Sequence, residues 1–496
     1  MRVIIDPQAQ FGEVNIADIQ LDPKSRDDIP QLLRGLQYIY TSPDLRERVF
    51  KILEEVRPIH EGAMVSAEIG RPGMEQWKIL VLGILRLGLN IDYDRVHELA
   101  NQHKTIREML GHSGWFDETV YTLDTIKNNL RLFTPEILDL INQEVVAAGH
   151  QLVKKNPEEK LSARCDSFVV ETDVHYPTDI NLLLDAIRKT IETCATLSKT
   201  AGNTEWRQSA YLIRKLKKLY RNVQRMKHST SKDEAKRQAR RDDLVQAYTE
   251  YLGFAKAIVA RAKGTRWDLG QSGGHLLPLA LVELDGYLGH AERQIDQVTR
   301  RVLQGETIPH HEKVFSIFEP HSEWISKGKA GVPVELGLPV CIVEDQYRFI
   351  LHHQVMEKTT DVAIAVQIVQ ATKERFSDLT SISMDKGFHS PENQGNLANR
   401  VDCVVVPKKG RLSKADQKRE NNPEFIEKRR AHSAVESAIN ALEVHGLDRC
   451  LDHGIDGFKR YVALAVVARN IQRLGALLRE QEQKEFERRA RYKKAA

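Results

Sequence analysis

Three carboxylates, widely separated in the chain, carry the clearest chemistry in the sequence. Asp166 lies in the β-branched and aromatic run Cys165-Asp166-Ser167-Phe168-Val169-Val170-Glu171-Thr172. Asp385 directly follows the strand-like run Leu379 to Met384, and Glu436 ends Arg429-Arg430-Ala431-His432-Ser433-Ala434-Val435-Glu436. Acids drawn to one place repel one another unless a divalent cation neutralises them, which points to Mg²⁺ or Mn²⁺, hard ions that prefer oxygen ligands. Two such ions, about 4 Å apart, activate a water or a 3′-hydroxyl on one side of a phosphodiester and stabilise the leaving oxygen on the other. The chemistry would be in-line phosphoryl transfer on nucleic acid. Each acid also has a plain structural reading: Asp166 bonds a neighbouring backbone N–H, Asp385 caps a turn before Gly387, and Glu436 forms i,i+4 charge pairs on an exposed helix. Asp173 and Asp179 rival Asp166, although Asp173 falls past the strand and Asp179 reads as a helix cap.

The elements that must position these acids follow from periodicity. The run 165–172 has apolar side chains on both faces, as a central strand does. From 180 to about 304 the pattern is almost wholly helical, which reads as a helical insertion into a sheet domain. Strands are expected at 314–318, 338–343 and 349–353, then a helix over 361–375, a strand over 379–384, a helix opened by Ser390-Pro391 and a last strand over 402–406. A polar loop over 408–422 follows. Asn422 caps the next helix and Pro423 suits its first turn. At 3.6 residues per turn, Arg429, His432, Glu436 and Asn440 share one face of it. The result is a mixed α/β sheet flanked by helices, with the acids at one sheet edge, where open α/β folds bind ligands.

Residues 1 to about 45 show little periodicity. Helices are expected over 74–89, where Trp77, Leu80, Ile84 and Leu87 keep helical spacing, and over 92–100, 104–110 and 135–148. The short pair carrying Gln102, His103, Lys104 and Arg107 suits a helix-turn-helix entering a major groove, with a plain helical bundle as the alternative. The expected division is a helical DNA-binding domain over 1–150, the first part of the catalytic core over 160–179, the helical insertion over 180–310, the rest of the core over 311–475 and a basic C-terminal helix or tail over 476–496.

Composition narrows the class. The chain has 496 residues, 41% of them hydrophobic, and no run of about eighteen uncharged apolar residues. With no signal peptide at Met1-Arg2-Val3-Ile4-Ile5-Asp6-Pro7, a cytoplasmic protein is expected. The five cysteines form no CxxC pair. His445, Cys450 and His453 lack a fourth zinc ligand. No Gly-x4-Gly-Lys-Ser/Thr loop suggests ATP. Net charge is only +4, but residues 201–250 hold thirteen Lys/Arg against six Asp/Glu, which suits a polyanion or a set of solvated helix faces. Lys327 and Lys329 fall in a loop between sheet segments that either holds a scissile strand or is simply solvated. Trp324 beside them either stacks a displaced base or packs.

Asp166 to Thr172 with His175-Tyr176-Pro177-Thr178-Asp179, Asp385-Lys386-Gly387-Phe388 and His432-Ser433-Ala434-Val435-Glu436-Ser437 resemble the signatures of DDE transposases of bacterial insertion sequences, most closely the ISNCY-type group. Gly70-Arg71-Pro72-Gly73 with the helices to Gly111 is similar to their N-terminal domain, and the likeness extends over roughly 70–475. The resemblance implies a ribonuclease-H-like core in which Asp166, Asp385 and Glu436 are the catalytic, metal-holding acids, with two Mg²⁺ or Mn²⁺ ions. It also implies an enzyme that binds the terminal inverted repeats of its element as a dimer or higher multimer, cuts double-stranded DNA at the element ends and joins 3′-hydroxyls to target DNA. There is a departure. Relatives surround the glutamate with Tyr-x2-Arg-x3-Glu-x6-Lys, whereas the corresponding positions here hold Arg429, His432, Glu436 and Glu443. Arg429 and His432 are candidate DNA contacts, as are Lys327, Lys329, Lys104 and Arg107; Glu443 cannot replace the lysine. The alternatives are a DNA-binding protein of the same descent without catalysis, and a sequence-tolerant metal-dependent nuclease.

Overall fold

Two short antiparallel strands, β1 (Ile59–His60) and β2 (Ala63–Met64), precede a 7-stranded sheet that begins at β3 (Leu161–Thr172). The structure is a computed structural model and describes residues 2–5, 14–60, 63–64, 72–112, 117–156, 158–227, 233–271, 277–326 and 333–495. The other strands are β4 (Glu323–Ser326), β5 (Val334–Asp345), β6 (Ile350–Val355), β7 (Leu379–Met384), β8 (Cys403–Val405) and β9 (Arg449–Cys450). Their order is β4-β5-β3-β7-β8, with β6 also pairing β5 and β9 also pairing β3. β5 runs antiparallel to β3 and β6, whereas β7 and β8 add in parallel. Parallel strands need crossovers, and the helices Asp361–Arg375 and Pro391–Ala398 lie where they are required.

β3 is covered on both faces, but not along its whole length by the same layer. Leu161, Ala163 and Cys165 enter a core formed with the helix Asp361–Arg375, while Phe168 and Val170, of opposite parity, enter the core on the other face. The phase changes at Asp166 and Ser167, both only half-buried. A strand passing from one core to the other thus leaves two polar residues at the changeover.

The chain divides into two compact units, one of residues 1–173 and 325–496, the other of residues 174–324. The second unit is the helical insertion, with wider limits than the 180–310 expected. Helices Asp179–Thr200, Ser209–Lys227, Glu234–Gln271 and Leu277–Val298 enclose a core of its own that includes Ile187, Ile191, Trp206, Tyr251 and Leu284. The strand expected at 314–318 is a loop of this unit. Ser316 Oγ accepts the backbone N–H groups of Phe318 (3.2 Å) and Glu319 (3.0 Å), which bends the chain, and Ile317 is buried among the helices.

Residues 1–150 do not stand apart from the sheet. Helix Gln76–Gly88 is buried at every position except Lys78, and a helix apolar all round needs cover on all sides. Its core continues through Phe168, Val170 and Leu338 to the last helix, Gly454–Ala495. That helix is one element through residues 476–495, not a separate tail. Its apolar stretch has a mean hydropathy of 1.2 and is 72% buried, as in a core helix. A helix not expected from the sequence, Asp28–Thr41, crosses it at Gly35 and Gly475, where an added Cβ would meet the backbone carbonyls of Ile471 and Gln31 respectively. Asp27 caps that helix by accepting the N–H of Ile29, and Leu32, Leu33, Leu36 and Ile39 are fully buried. The polar loop at 408–422 contains a further short helix, Lys414–Glu420, held by a capping box between Ser413 and Asp416.

Candidate active site

Strand register decides which acids meet. β7 runs parallel to β3 and its last residue, Met384, pairs with Cys165, so Asp385 leaves the sheet beside Asp166. β9 takes up the same edge of β3 only at Glu171. Among the described residues, Asp166 to Val170 therefore have no partner strand on that edge, and the sheet has a notch there. Asp385 turns the chain away by accepting the N–H of Gly387 at 2.6 Å, and Asp166 accepts the N–H of Ser167 at 2.8 Å. Both acids fill their plain structural roles and still face the notch.

Two helices close on it from opposite faces. Helix Val435–Leu442 packs Val435, Ala438 and Leu442 into the core shared with Phe168 and Val170, and carries Glu436 exposed in its first turn. Helix Asp361–Arg375 packs Ile364, Ala365 and Ile368 into the core shared with Ala163 and Cys165, and carries Asp361 at its start. Asp361 accepts the Ser167 hydroxyl at 2.6 Å. A Cβ on Gly387 would lie 2.8 Å from Asp385 Oδ1 and 3.1 Å from Asp361 Oδ2, so the two acids close on a position too tight for any side chain.

The electrostatics join the four. Burial, followed by the charges of Asp385, Asp361 and Glu436, pushes the Asp166 carboxyl up to about 6, against the opposing pull of the Ser167 N–H. The three acids singled out in the sequence thus act on one field, together with Asp361, which sequence reasoning missed. Its only signal is that of a helix start: the Thr360 side chain accepts the N–H of Ala363, and an acid in the first turn suits the helix dipole.

Helix Pro423–His432 begins as expected, with Asn422 accepting the N–H of Glu424 at 2.9 Å. It does not run on to Glu436. Ser433 Oγ donates to the Arg430 carbonyl at 2.9 Å, and the N–H groups of Ala434, Glu436 and Ser437 bond carbonyls three residues back. The tighter turn breaks the 3.6-residue phase, so Arg429, His432, Glu436 and Asn440 do not form one helical face. His432 nevertheless reaches the site. Its Nδ1 lies 3.2 Å from Ser383 Oγ on β7, and burial holds its pKa down against the pull of Asp385 and Glu436. Arg429 is exposed and lies 3.9 Å from Glu420.

Arg164 fixes the end of that helix to the sheet. It faces Glu344 across the β3–β5 ladder at 3.0 Å and donates to the carbonyls of Asp345 (2.7 Å) and Ala431 (3.4 Å). Burial pushes Glu344 up to about 7, with Arg164 opposing.

The remaining candidates lie elsewhere. Lys327 and Lys329 fall outside the described residues, as do Gly70 and Arg71. Lys104 is exposed, 3.9 Å from Glu108, whereas the Arg107 guanidinium turns inward onto the carbonyls of Thr119 (3.1 Å) and Asp117 (3.3 Å). Trp324 packs edge-on against Tyr176, ring centroids 5.6 Å apart, within the helical unit. Asp179 is not the helix cap; Thr178 is, and Asp179 lies 2.6 Å from Arg301. Asp173 lies 3.7 Å from Arg449. His445 places its ring nitrogens 3.3 Å from the Leu87 carbonyl and 2.8 Å from Gln472 Oε1, which accounts for it as a core residue.

As their side chains stand, no three His, Cys, Asp or Glu residues among those described gather closely enough to share one ion. The four acids at the notch nonetheless offer only oxygen donors of like charge, which is the chemistry a hard divalent ion fits. Glu436 is exposed in the first turn of its helix. Comparisons with protein-family models, with curated proteins and with solved structures give no match.

Proposed function

We propose that this chain is a DDE-type DNA transposase, which binds the ends of its own element and carries out metal-dependent cleavage and strand transfer. The observation that carries the reading is the β3–β7 register, which sets Asp166 beside Asp385 in a sheet notch that Glu436 overlooks. The strand order, with antiparallel strands on one side of β3 and parallel strands with crossover helices on the other, supports a ribonuclease-H-like core. Asp166, Asp385 and Glu436 would hold two Mg²⁺ or Mn²⁺ ions, which when bound supply an activated water or 3′-hydroxyl and charge neutralisation at the leaving oxygen. The chain's own residues hold the acids on rigid elements, keep an uncharged His432 beside the phosphate path and leave the notch open to a strand. Helices Tyr93–Gln102 and Lys104–Met109, with Lys104 exposed, support a helix-turn-helix role in end recognition. A homodimer or larger multimer on DNA and a cytoplasmic location belong to the same proposal.

The test is Asp385→Asn in the full chain. It should abolish Mn²⁺-dependent nicking of duplexes that carry the element's inverted repeats, and leave their binding unchanged. Undiminished nicking would reject the site. End binding without nicking by the wild type, with any divalent ion, would favour a DNA-binding protein that lacks catalysis.

A further inference from the structure

The sequence has two basic clusters in the helical unit, and the structure separates them. Around the start of helix Glu234–Gln271, residues 233–243 hold four cations and four acids and so carry no net charge, with Lys236 3.9 Å from Asp233 and Arg237 3.6 Å from Glu234. Helix Ser209–Lys227 holds seven cations and no acid. Of these, Lys215 folds over the Phe254 ring, 5.1 Å from its centroid. Arg214, Lys217, Lys218, Arg221 and Arg225 are all exposed. At about 100° per residue they fall within one stripe roughly 100° wide, opposite the apolar face of Leu212, Leu216, Leu219 and Val223 that packs into the unit's core.

We propose that this stripe is a surface for the backbone of duplex DNA, read without regard to sequence. From Arg214 to Arg225 it extends about 17 Å with one sign of charge throughout, long enough to face consecutive phosphates of a DNA strand. That match of sign and reach fits a phosphate row. Contact with phosphates needs only the charge and reach of these side chains, so the proposal is confined to the backbone, which carries no sequence information. The inference rests on the proposed function only for its choice of polyanion, and its test does not pass through the acid site.

The experiment uses the full chain and a short labelled duplex of arbitrary sequence, with affinity measured over a salt series. The triple variant Lys217→Gln, Lys218→Gln, Arg221→Gln should bind every duplex more weakly, and its plot of log K against log salt should be shallower by about 3, since each lost phosphate contact removes roughly 0.9 from the slope. The charge-keeping variant Lys217→Arg, Lys218→Arg, Arg221→Lys should keep the wild-type slope. If the triple variant loses helicity, Arg214→Gln and Arg225→Gln singly should each lower the slope by about 1. An unchanged slope in the neutralised variants overturns the proposal, and so does wild-type binding to phosphatidylserine vesicles in preference to duplex. Asp385→Asn should keep the wild-type slope. A slope that responds to the stripe in a chain without metal-dependent cleavage would keep this surface and discard only the proposed reaction.

Discussion

Asp166→Asn should make the metal-free protein more stable while removing its activity. In the folded chain the Asp166 carboxyl is raised from 3.8 to about 6, first by burial and then by Asp385, Asp361 and Glu436. An acid whose folded pKa lies above its unfolded one favours the fold while protonated, and that advantage is lost as pH rises through the folded value. Above pH ~6 the wild type therefore carries the full penalty of an ionised Asp166. At about 1.36 kcal/mol per unit this amounts to ~3 kcal/mol. Asparagine keeps the shape and the oxygen that accepts the Ser167 N–H, so the substitution removes the charge and little else. Denaturant unfolding of the sheet-containing unit in EDTA should show Asp166→Asn more stable by up to about 3 kcal/mol at pH 8, and by little at pH 4, where the wild-type carboxyl is mostly protonated in the fold. Mn²⁺ should then raise the unfolding midpoint of the wild type more than that of the variant, because an ion that binds only the folded state stabilises in proportion to its affinity. A variant no more stable than wild type at pH 8, or a gain that does not change with pH, would refute the reasoning.

Two other substitutions test how the site is supported. Asp361→Asn should lower metal-dependent nicking about 10–100-fold and shift its metal titration to higher concentration, the size expected for a group that supports metal ligands, with duplex affinity unchanged. Arg164→Met should cost ~1–3 kcal/mol in unfolding free energy, because Glu344 loses its nearest cation and protonates while the carbonyls of Asp345 and Ala431 lose a donor, and adding Glu344→Leu should recover only the part due to Glu344.

What could be read from the sequence is what local rules decide. The helix Asp361–Arg375 and the strand Leu379–Met384 stand where periodicity puts them, because Thr360 caps one and Asp385 turns the chain out of the other. Asn422 and Pro423 likewise start their helix by side-chain chemistry confined to a few residues. The stop at Ser433 was not legible, since a serine hydroxyl bonding back to Arg430 is one option among several and packing chooses it. Helix Asp28–Thr41 lies in a stretch of weak periodicity bounded by the turn formers Asp22-Pro23 and Ser42-Pro43, and Pro30 is tolerated in its first turn. The strand expected at 314–318 failed because a short apolar run does not show whether sheet or helices will cover it. The fusion of residues 1–150 with the sheet did have a signal. The run Ile79-Leu80-Val81-Leu82-Gly83-Ile84-Leu85 is apolar on every side of a helix, and a small bundle alone cannot cover it.

Asp361 raises the sharper question of which acid completes the site. Sequence pattern favours Glu436, and no local rule points to Asp361, because its approach to Asp166 depends on parallel register and on the packing of a crossover helix. In the folded chain, however, Asp361 raises the Asp166 carboxyl more than Glu436 does. It is also tied to the strand through Ser167, whereas Glu436 is exposed on a helix that begins after a tight turn. Substituting both in parallel, Asp361→Asn and Glu436→Gln, separates proximity from role. If Glu436 moves inward to hold the ion, Glu436→Gln should abolish nicking while Asp361→Asn only weakens it. The reverse order would make Asp361 the third ligand and leave Glu436 as a neighbouring charge, for which an exposed first-turn glutamate needs no catalytic explanation.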